Sequence, residues 1–156
     1  MAEALTEERK AIVRKTWAPV QGDIRGIGVE FFLKLFRDKP EYQQYFPLFK
    51  SKTAAELATD NALRAHATSV MHQITAIVES LDDLDCLIEI LMKQARNHLP
   101  RGIVAEHYTV LFGVLLEFLG EKLGAAFDDK AKDAWTAATG VMAAVITGQI
   151  AQLQEK

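Results

Sequence analysis

Residues 63–74 read LRAHATSVMHQI and place a histidine inside an apolar helical stripe. The apolar side chains recur three and four positions apart, which is the spacing of one helix face. They are Leu63, Ala67, Val70, Met71 and Ile74. His66 falls on this face and His72 falls outside it. Because a buried imidazole needs a polar partner or carries a desolvation cost, the stretch predicts an amphipathic helix and leaves open what His66 meets inside.

The bounds of this helix and the next follow from their capping residues. Thr53 and Glu56 form the capping-box pattern TAAE and predict that the long helix begins there and runs to about Leu81. A further amphipathic helix follows, and Pro100 with Gly102 predicts its end. His98 lies on the apolar stripe of that helix.

Two helices are predicted before the long one. The first begins after Thr6 and ends at Pro19 and Gly22. The second is capped by Asp23 and stops near Lys39, because a proline follows. The segment after it, KPEYQQYFPLFK, holds four aromatic residues whose exposure to water is unfavourable. We therefore expect something large to pack against this corner.

The last third of the chain predicts two more long helices, joined by GAAFDD. No convincing alternating strand, internal repeat or linker interrupts the pattern. We therefore predict an all-α fold of six to eight helices that share one core, in a single domain over residues 1–156.

Composition excludes several classes of function. The chain has 156 residues, 49% hydrophobic and 25% charged, and a net charge of -3 with both signs interleaved. This balance gives no attraction for nucleic acid. Cys86 is the single cysteine, so it cannot form an intramolecular disulfide, and we expect a packed thiol. With no signal peptide and no apolar run near the roughly 20 residues of a membrane span, we expect a cytoplasmic protein without a membrane partner.

Common catalytic and metal motifs are absent from the sequence. There is no GxSxG or HExxH, the third position of a GxGxxG is Phe31, and no histidine follows a glutamate by three residues. What remains is a pair of inward-facing histidines, His66 and His98, with the aromatic corner before them. One such histidine is most often an ordinary core residue. Two in this context fit a flat apolar ligand that carries a metal, which is the chemistry of haem.

Five landmarks in order make the sequence resemble the globin family from about residue 5 to residue 153. They are Trp17, the run FFLKLFRDKPEYQQYF, AHATSV around His66, NHLPRGI around His98, and AAFDDKAKDAW with Trp135. The resemblance implies a globin fold and a haem b cofactor. It also implies oxygen and other diatomic gases as ligands.

The resemblance assigns roles to residues of this chain. His98 resembles the proximal ligand of the haem iron, and His66 the distal histidine, as a hydrogen-bond donor or a sixth ligand. Phe46 resembles the phenylalanine stacked on the porphyrin, with Val70 and Phe32 on the distal side. Further haem contacts are expected at Leu63, Ile74, Leu91, Arg101, Ile103, Tyr108, Leu111 and Met142.

The second ring nitrogen of His98 should donate to a carbonyl one turn back, that of Gln94. The side chain of Gln94 departs from the family, which usually has leucine there. Ser69 gives no distal cation for a haem propionate, a role that Arg64 or Arg101 could take. The last helix also lacks a tyrosine that many relatives carry.

Three functions remain open at this point. Reversible oxygen binding for storage or transport is the family's usual role, without catalysis. A six-coordinate haem bound by His66 would suit electron transfer, nitric oxide dioxygenation, nitrite reduction, peroxidase work or gas sensing, and the distal set resembles neuroglobins as much as oxygen carriers. A haem-free interaction module would need none of His98, His66 and Phe46. With no reductase domain expected in this chain, redox cycling needs a separate reductase.

Overall fold

A computed structural model describes residues 4–155, in which there are seven α-helices and no strand. The α-helices are α1 (Glu7–Gln21), α2 (Ile24–Asp38), α3 (Ala54–Ala58), α4 (Asn61–Glu79), α5 (Leu84–His98), α6 (Ala105–Leu123) and α7 (Asp129–Gln154). Short 3₁₀ helices lie between some of them, at Pro40–Tyr45, Leu99–Arg101 and Gly124–Ala126. The predicted all-α class is confirmed.

The chain divides into two compact units. Ala18–Ala76 forms one, which we call the central unit. The residues up to Trp17 and those from Ile77 onward form the other, the terminal unit. That residues 1–156 make a single domain stays a prediction.

In the central unit, α2 begins where expected. The side chain of Asp23 accepts a hydrogen bond from the Gly26 N–H at 3.1 Å and so caps the first turn. Gly28 brings α2 close to α4, since a Cβ there would lie 3.0 Å from Met71 Cγ and 3.1 Å from the Ala67 carbonyl oxygen. The apolar face that α2 buries contains Ile27, Phe31, Phe32, Leu35 and Phe36.

The long helix predicted from Thr53 is two helices in the structure. The capping box of Thr53 and Glu56 is present, but it opens only the short α3. Helix α4 has its own cap at Asp60, whose carboxylate accepts from the Leu63 N–H at 2.8 Å and also pairs with Lys52. The prediction of one continuous helix was therefore wrong, because a second N-cap interrupts it.

The first helix was predicted to end at Pro19 and Gly22, and it ends directly before Gly22 but not at Pro19. Pro19 lies inside α1, which continues to Gln21. The backbone then tightens, with the Gly22 N–H donating to the Pro19 carbonyl at 3.3 Å and the Asp23 N–H to the Val20 carbonyl at 3.1 Å. A proline this close to the C-terminus of a helix leaves few turns to disrupt, so the helix ends two residues later.

The terminal unit has a core of large side chains from α1, α6 and α7. Trp17 and Trp135 lie with ring centroids 5.7 Å apart, and the indole Nε1–H of Trp135 donates to the Thr16 hydroxyl at 2.8 Å.

Helix α5 ends near Pro100 and Gly102 as predicted, with Gly102 in the left-handed region at φ 83°. Cys86 was expected to be packed, but it is exposed in the first turn of α5.

Helix α7 also meets the length and composition of a membrane span, although no 20-residue apolar run was expected. Its most apolar 18-residue window is half buried within the protein, as in the core helix of a globular protein. Helices α5 and α6 pass the same test only when taken together across a 115° bend. Residues 134–154 carry no charge, but polar side chains such as those of Thr139 and Gln149 interrupt the apolar pattern, so a search for unbroken apolar runs did not detect this property.

Candidate functional site

His98 is the last residue of α5, and its ring forms a hydrogen bond with the residue one turn back. Its Nδ1 lies 2.9 Å from the carbonyl oxygen of Gln94, one helical turn back. Since a carbonyl oxygen only accepts, Nδ1 carries the hydrogen and Nε2 keeps a lone pair. The predicted bond to the Gln94 carbonyl is confirmed, and it leaves Nε2 as the nitrogen that can bind a metal.

Burial lowers the pKa of His98 below its ordinary value. The hydrogen bond to Gln94 acts in the opposite direction, and the positive charge of Arg101 adds to the lowering. The ring is therefore neutral at physiological pH, which is the form that ligates metals.

Tyr108 lies beside His98 in the terminal unit, with ring centroids 6.4 Å apart. Its hydroxyl donates to the Gln94 carbonyl at 3.4 Å, so this carbonyl receives two donors. Burial raises the pKa of Tyr108 to about 12, which keeps the hydroxyl protonated as a donor. The Tyr108 hydroxyl and the His98 ring thus donate to the same backbone carbonyl.

The other predicted contacts of the terminal unit differ in exposure. Leu91 and Met142 are buried at 1% and 5% exposure. Leu111 and Ile103 are partly exposed and Arg101 is exposed. Their degree of exposure does not by itself assign them to a haem contact, so their roles stay predictions.

His66 lies in α4 of the central unit, among phenylalanine rings. Its ring centroid is 5.1 Å from that of Phe32 and 5.4 Å from that of Phe46. Phe32 and Phe46 are themselves 6.0 Å apart and meet edge to face. His66 and the phenylalanine rings around it therefore form one cluster, which we call the distal cluster.

Helix α4 also carries Val70, predicted on the distal side, and two of the further predicted haem contacts, Leu63 and Ile74. Leu63 is completely buried and belongs to the core of the helix face. Val70 lies one turn beyond His66, and both side chains, like that of Ile74, are partly exposed. Helix α4 thus has a buried stripe, with Leu63, Ala67 and Met71, beside a partly exposed stripe, with His66, Val70 and Ile74.

The sequence-based list missed Phe49, which belongs to the distal cluster. Its ring centroid is 6.1 Å from His66 and 5.9 Å from Phe46, and its exposure is 3%. The aromatic corner KPEYQQYFPLFK was the signal for it. That corner is only partly packed, because Leu48 and Tyr45 in the same segment are 68% and 39% exposed.

The residues present fit a haem better than a bare metal ion. Among residues 4–155, no three His, Cys, Asp or Glu side chains gather as a metal ion site would require. His98 Nε2 offers one neutral nitrogen with a fixed tautomer, which is the donor that haem iron takes from a globin-type site. The aromatic rings around His66 are apolar surface of the kind that contacts a porphyrin.

The cations suggested for the haem propionates lie in different surroundings. Arg64 is exposed and donates to the Asn61 side chain at 2.9 Å. Ser69 bonds the Ala65 carbonyl at 3.1 Å, within its own helix. Arg101 is exposed at the end of its 3₁₀ helix. The structure therefore leaves the propionate partner a prediction.

Comparison with known proteins gives a consistent result. The family model described as Globin matches residues 29–146. The chain belongs to the globin family. A globin from Nerita albicilla is 33% identical over 147 residues, covering 94% of this chain and 94% of its own. Cytoglobin-1 from Oryzias latipes is 34% identical to this chain, over 85% of this chain and 76% of the cytoglobin. A globin from Buccinum undatum is also 34% identical, over 86% of this chain and 93% of that globin.

Family membership confirms the resemblance read from the sequence landmarks and accounts for the all-α globin fold. It implies that this globin binds haem and, through it, a small diatomic gas. Each unit of this globin carries its own set of candidate residues: the distal cluster lies in the central unit, and His98 with Gln94 and Tyr108 lies in the terminal unit.

Proposed function

We propose that this globin holds haem b through His98 and binds oxygen reversibly, as a store or carrier of the gas. The observation that carries the proposal is the hydrogen bond from His98 Nδ1 to the Gln94 carbonyl, 2.9 Å long. It fixes the tautomer, so that Nε2 carries the lone pair that a metal would take. Ferrous haem, when bound, supplies an open coordination position for a diatomic gas.

His66 is the residue that we propose to act on the gas. A ring N–H of His66 can donate a hydrogen bond to a ligand that draws negative charge, which is worth about 1.5 to 3 kcal/mol. That energy corresponds to about one to two decades in affinity. His66 would thus select for oxygen over gases that accept hydrogen bonds less strongly.

Phe32 and Val70 are the residues that we propose to limit access to the distal side. Phe32 is buried at 2% exposure and lies 5.1 Å from the His66 ring, centroid to centroid. Val70 stands one turn after His66 on the same helix. Apolar side chains at these positions would keep water and protons from the gas and so slow oxidation to ferric haem.

A second candidate function is favoured by the chemistry of His66 itself. A neutral imidazole can coordinate haem iron as well as donate to a gas, and His66 lies among the rings of three phenylalanines. With His66 as a sixth ligand, the protein would suit electron transfer, nitric oxide dioxygenation, nitrite reduction, peroxidase activity or gas sensing. A separate reductase would then supply the electrons.

The visible spectrum of the reduced protein in the absence of gas separates the two functions. We expect a five-coordinate spectrum for an oxygen carrier, because His98 alone then binds the iron. A six-coordinate spectrum that reverts to five-coordinate in the variant His66→Leu would support the second function and contradict the first. A purified chain that takes up no haem would contradict both.

A further inference from the structure

Gln94 contacts both nitrogens of the His98 ring. Its backbone carbonyl accepts from Nδ1 at 2.9 Å, and its side-chain amide nitrogen lies 3.3 Å from Nε2. An apolar side chain such as leucine at this position could leave only the first of these bonds, whereas glutamine forms both.

The two hydrogen bonds are consistent with a single tautomer of the His98 ring. Because the carbonyl oxygen of Gln94 cannot donate, Nδ1 of His98 must carry the hydrogen. In a neutral imidazole Nε2 then has only a lone pair, and the nitrogen of a carboxamide has only hydrogens to offer. The Gln94 amide is therefore the donor and His98 Nε2 the acceptor.

The lone pair that accepts the amide hydrogen is the one that iron would take. One lone pair cannot serve both, so coordination of iron by His98 has to break the bond from the Gln94 side chain. We infer that Gln94 is a positioning residue, which holds the ligating nitrogen of His98 in the haem-free protein and must release it when haem binds. This inference rests on the proposed role of His98 as the iron ligand.

The role of the Gln94 side chain can be tested separately from that of the Gln94 backbone carbonyl. The Gln94 carbonyl also accepts from the Tyr108 hydroxyl at 3.4 Å, so the backbone side of the arrangement persists whatever side chain residue 94 carries. A substitution at 94 thus removes the bond to Nε2 and leaves the bond to Nδ1. Net hydrogen-bond strengths of this kind correspond to about a two- to tenfold change in an equilibrium constant.

The substitution Gln94→Met tests this inference, because methionine keeps the length of the side chain and lacks the donor. The first measurement is the ¹⁵N spectrum of the histidine rings in the haem-free full-length chain. We expect Nε2 of His98 to show a hydrogen-bonded lone pair in the wild type. In Gln94→Met the ¹⁵N resonance of His98 Nε2 should move to the frequency of a nitrogen whose lone pair accepts no hydrogen bond, while Nδ1 stays protonated.

The second measurement is haem affinity, obtained by competition with a haem acceptor of known affinity. We expect Gln94→Met to bind haem about two- to tenfold more tightly than the wild type. The matched control is Gln152→Met, which removes an exposed glutamine amide in α7 and should change neither measurement.

Two results would overturn the inference. One is a wild-type Nε2 signal without a hydrogen bond, or one that Gln94→Met does not move. The other is an unchanged or weakened haem affinity in Gln94→Met. These results differ from those expected if the proposed function is wrong. In that case the wild type would take up no haem, or the iron would keep its protein ligand in a variant without His98.

Discussion

The ring of Phe32 lies edge to face against His66, with centroids 5.1 Å apart and planes at 67°. Phe32 is 2% exposed in a well-packed face of α2, so its ring gives the imidazole a fixed neighbour. An edge-to-face contact of this kind favours one ring orientation over others. The orientation of His66 is therefore set within the central unit itself.

Replacing His66 by Leu should speed the release of oxygen by roughly ten- to a hundredfold. The reason is the loss of the hydrogen bond to the gas, worth about 1.5 to 3 kcal/mol. Stopped-flow displacement of oxygen by carbon monoxide measures the rate. His72→Leu, at an exposed position of the same helix, is the control and should leave the rate unchanged. An unaltered rate in His66→Leu would show that this residue does not serve the gas.

Replacing Thr16 by Val should lower the free energy of unfolding by about 1 to 3 kcal/mol, the cost of a buried donor left without a partner. The donor is the Trp135 indole N–H, which bonds the Thr16 hydroxyl at 2.8 Å in a buried position. Urea unfolding at matched haem content measures the change. Thr16→Ser retains the hydroxyl and should lose less stability than Thr16→Val; equal losses in the two variants would contradict the importance of this bond.

Asp60 should make part of the protein's stability depend on acid pH. The hydrogen bond from Lys52 and that from the Leu63 N–H hold the pKa of Asp60 below its ordinary 3.8. Because the pKa of Asp60 is lower in the folded than in the unfolded state, its ionised carboxylate stabilises the fold at pH values above the unfolded-state pKa. This stabilisation is lost as the pH falls through the folded-state pKa. Asp60→Asn keeps an oxygen for the cap but removes this titration.

The measurement for Asp60 is the free energy of unfolding in urea at a series of pH values from 6 down to the acid limit of folding. We expect a shallower fall in stability below a pH of about 4 for Asp60→Asn than for the wild type. The control is Asp129→Asn, in the first turn of α7, a group outside this capping arrangement. Parallel curves for wild type and Asp60→Asn would contradict the assigned role.

The helix class followed from periodicity, but the start of α4 did not. Thr53 and Glu56 carry a strong local starting signal, and the apolar pattern continues past them to Leu81. The break before α4 depends on Asp60, which also pairs with Lys52 eight residues earlier. A capping signal inside an unbroken apolar pattern is weak evidence in sequence, since aspartate is also common on exposed helix faces.

The candidate site also contains contacts that the sequence predicted and contacts that it did not. The bond from His98 to the Gln94 carbonyl was predictable because the carbonyl four residues back has a fixed place on any helix. The contact of the Gln94 side chain with Nε2 depends on a rotamer, which no spacing rule specifies. Phe49 was missed for a related reason, since which aromatic residue of an irregular corner points inward depends on the path of the backbone.

The most direct test of the account is haem binding by the variant His98→Gly with and without added imidazole. If His98 Nε2 is the proximal ligand, the variant should lose haem readily, and free imidazole should restore both haem content and the axial-ligand spectrum. His72→Gly is the control for replacing an exposed histidine. Undiminished haem content and an unchanged axial-ligand spectrum in His98→Gly without imidazole would contradict the assignment.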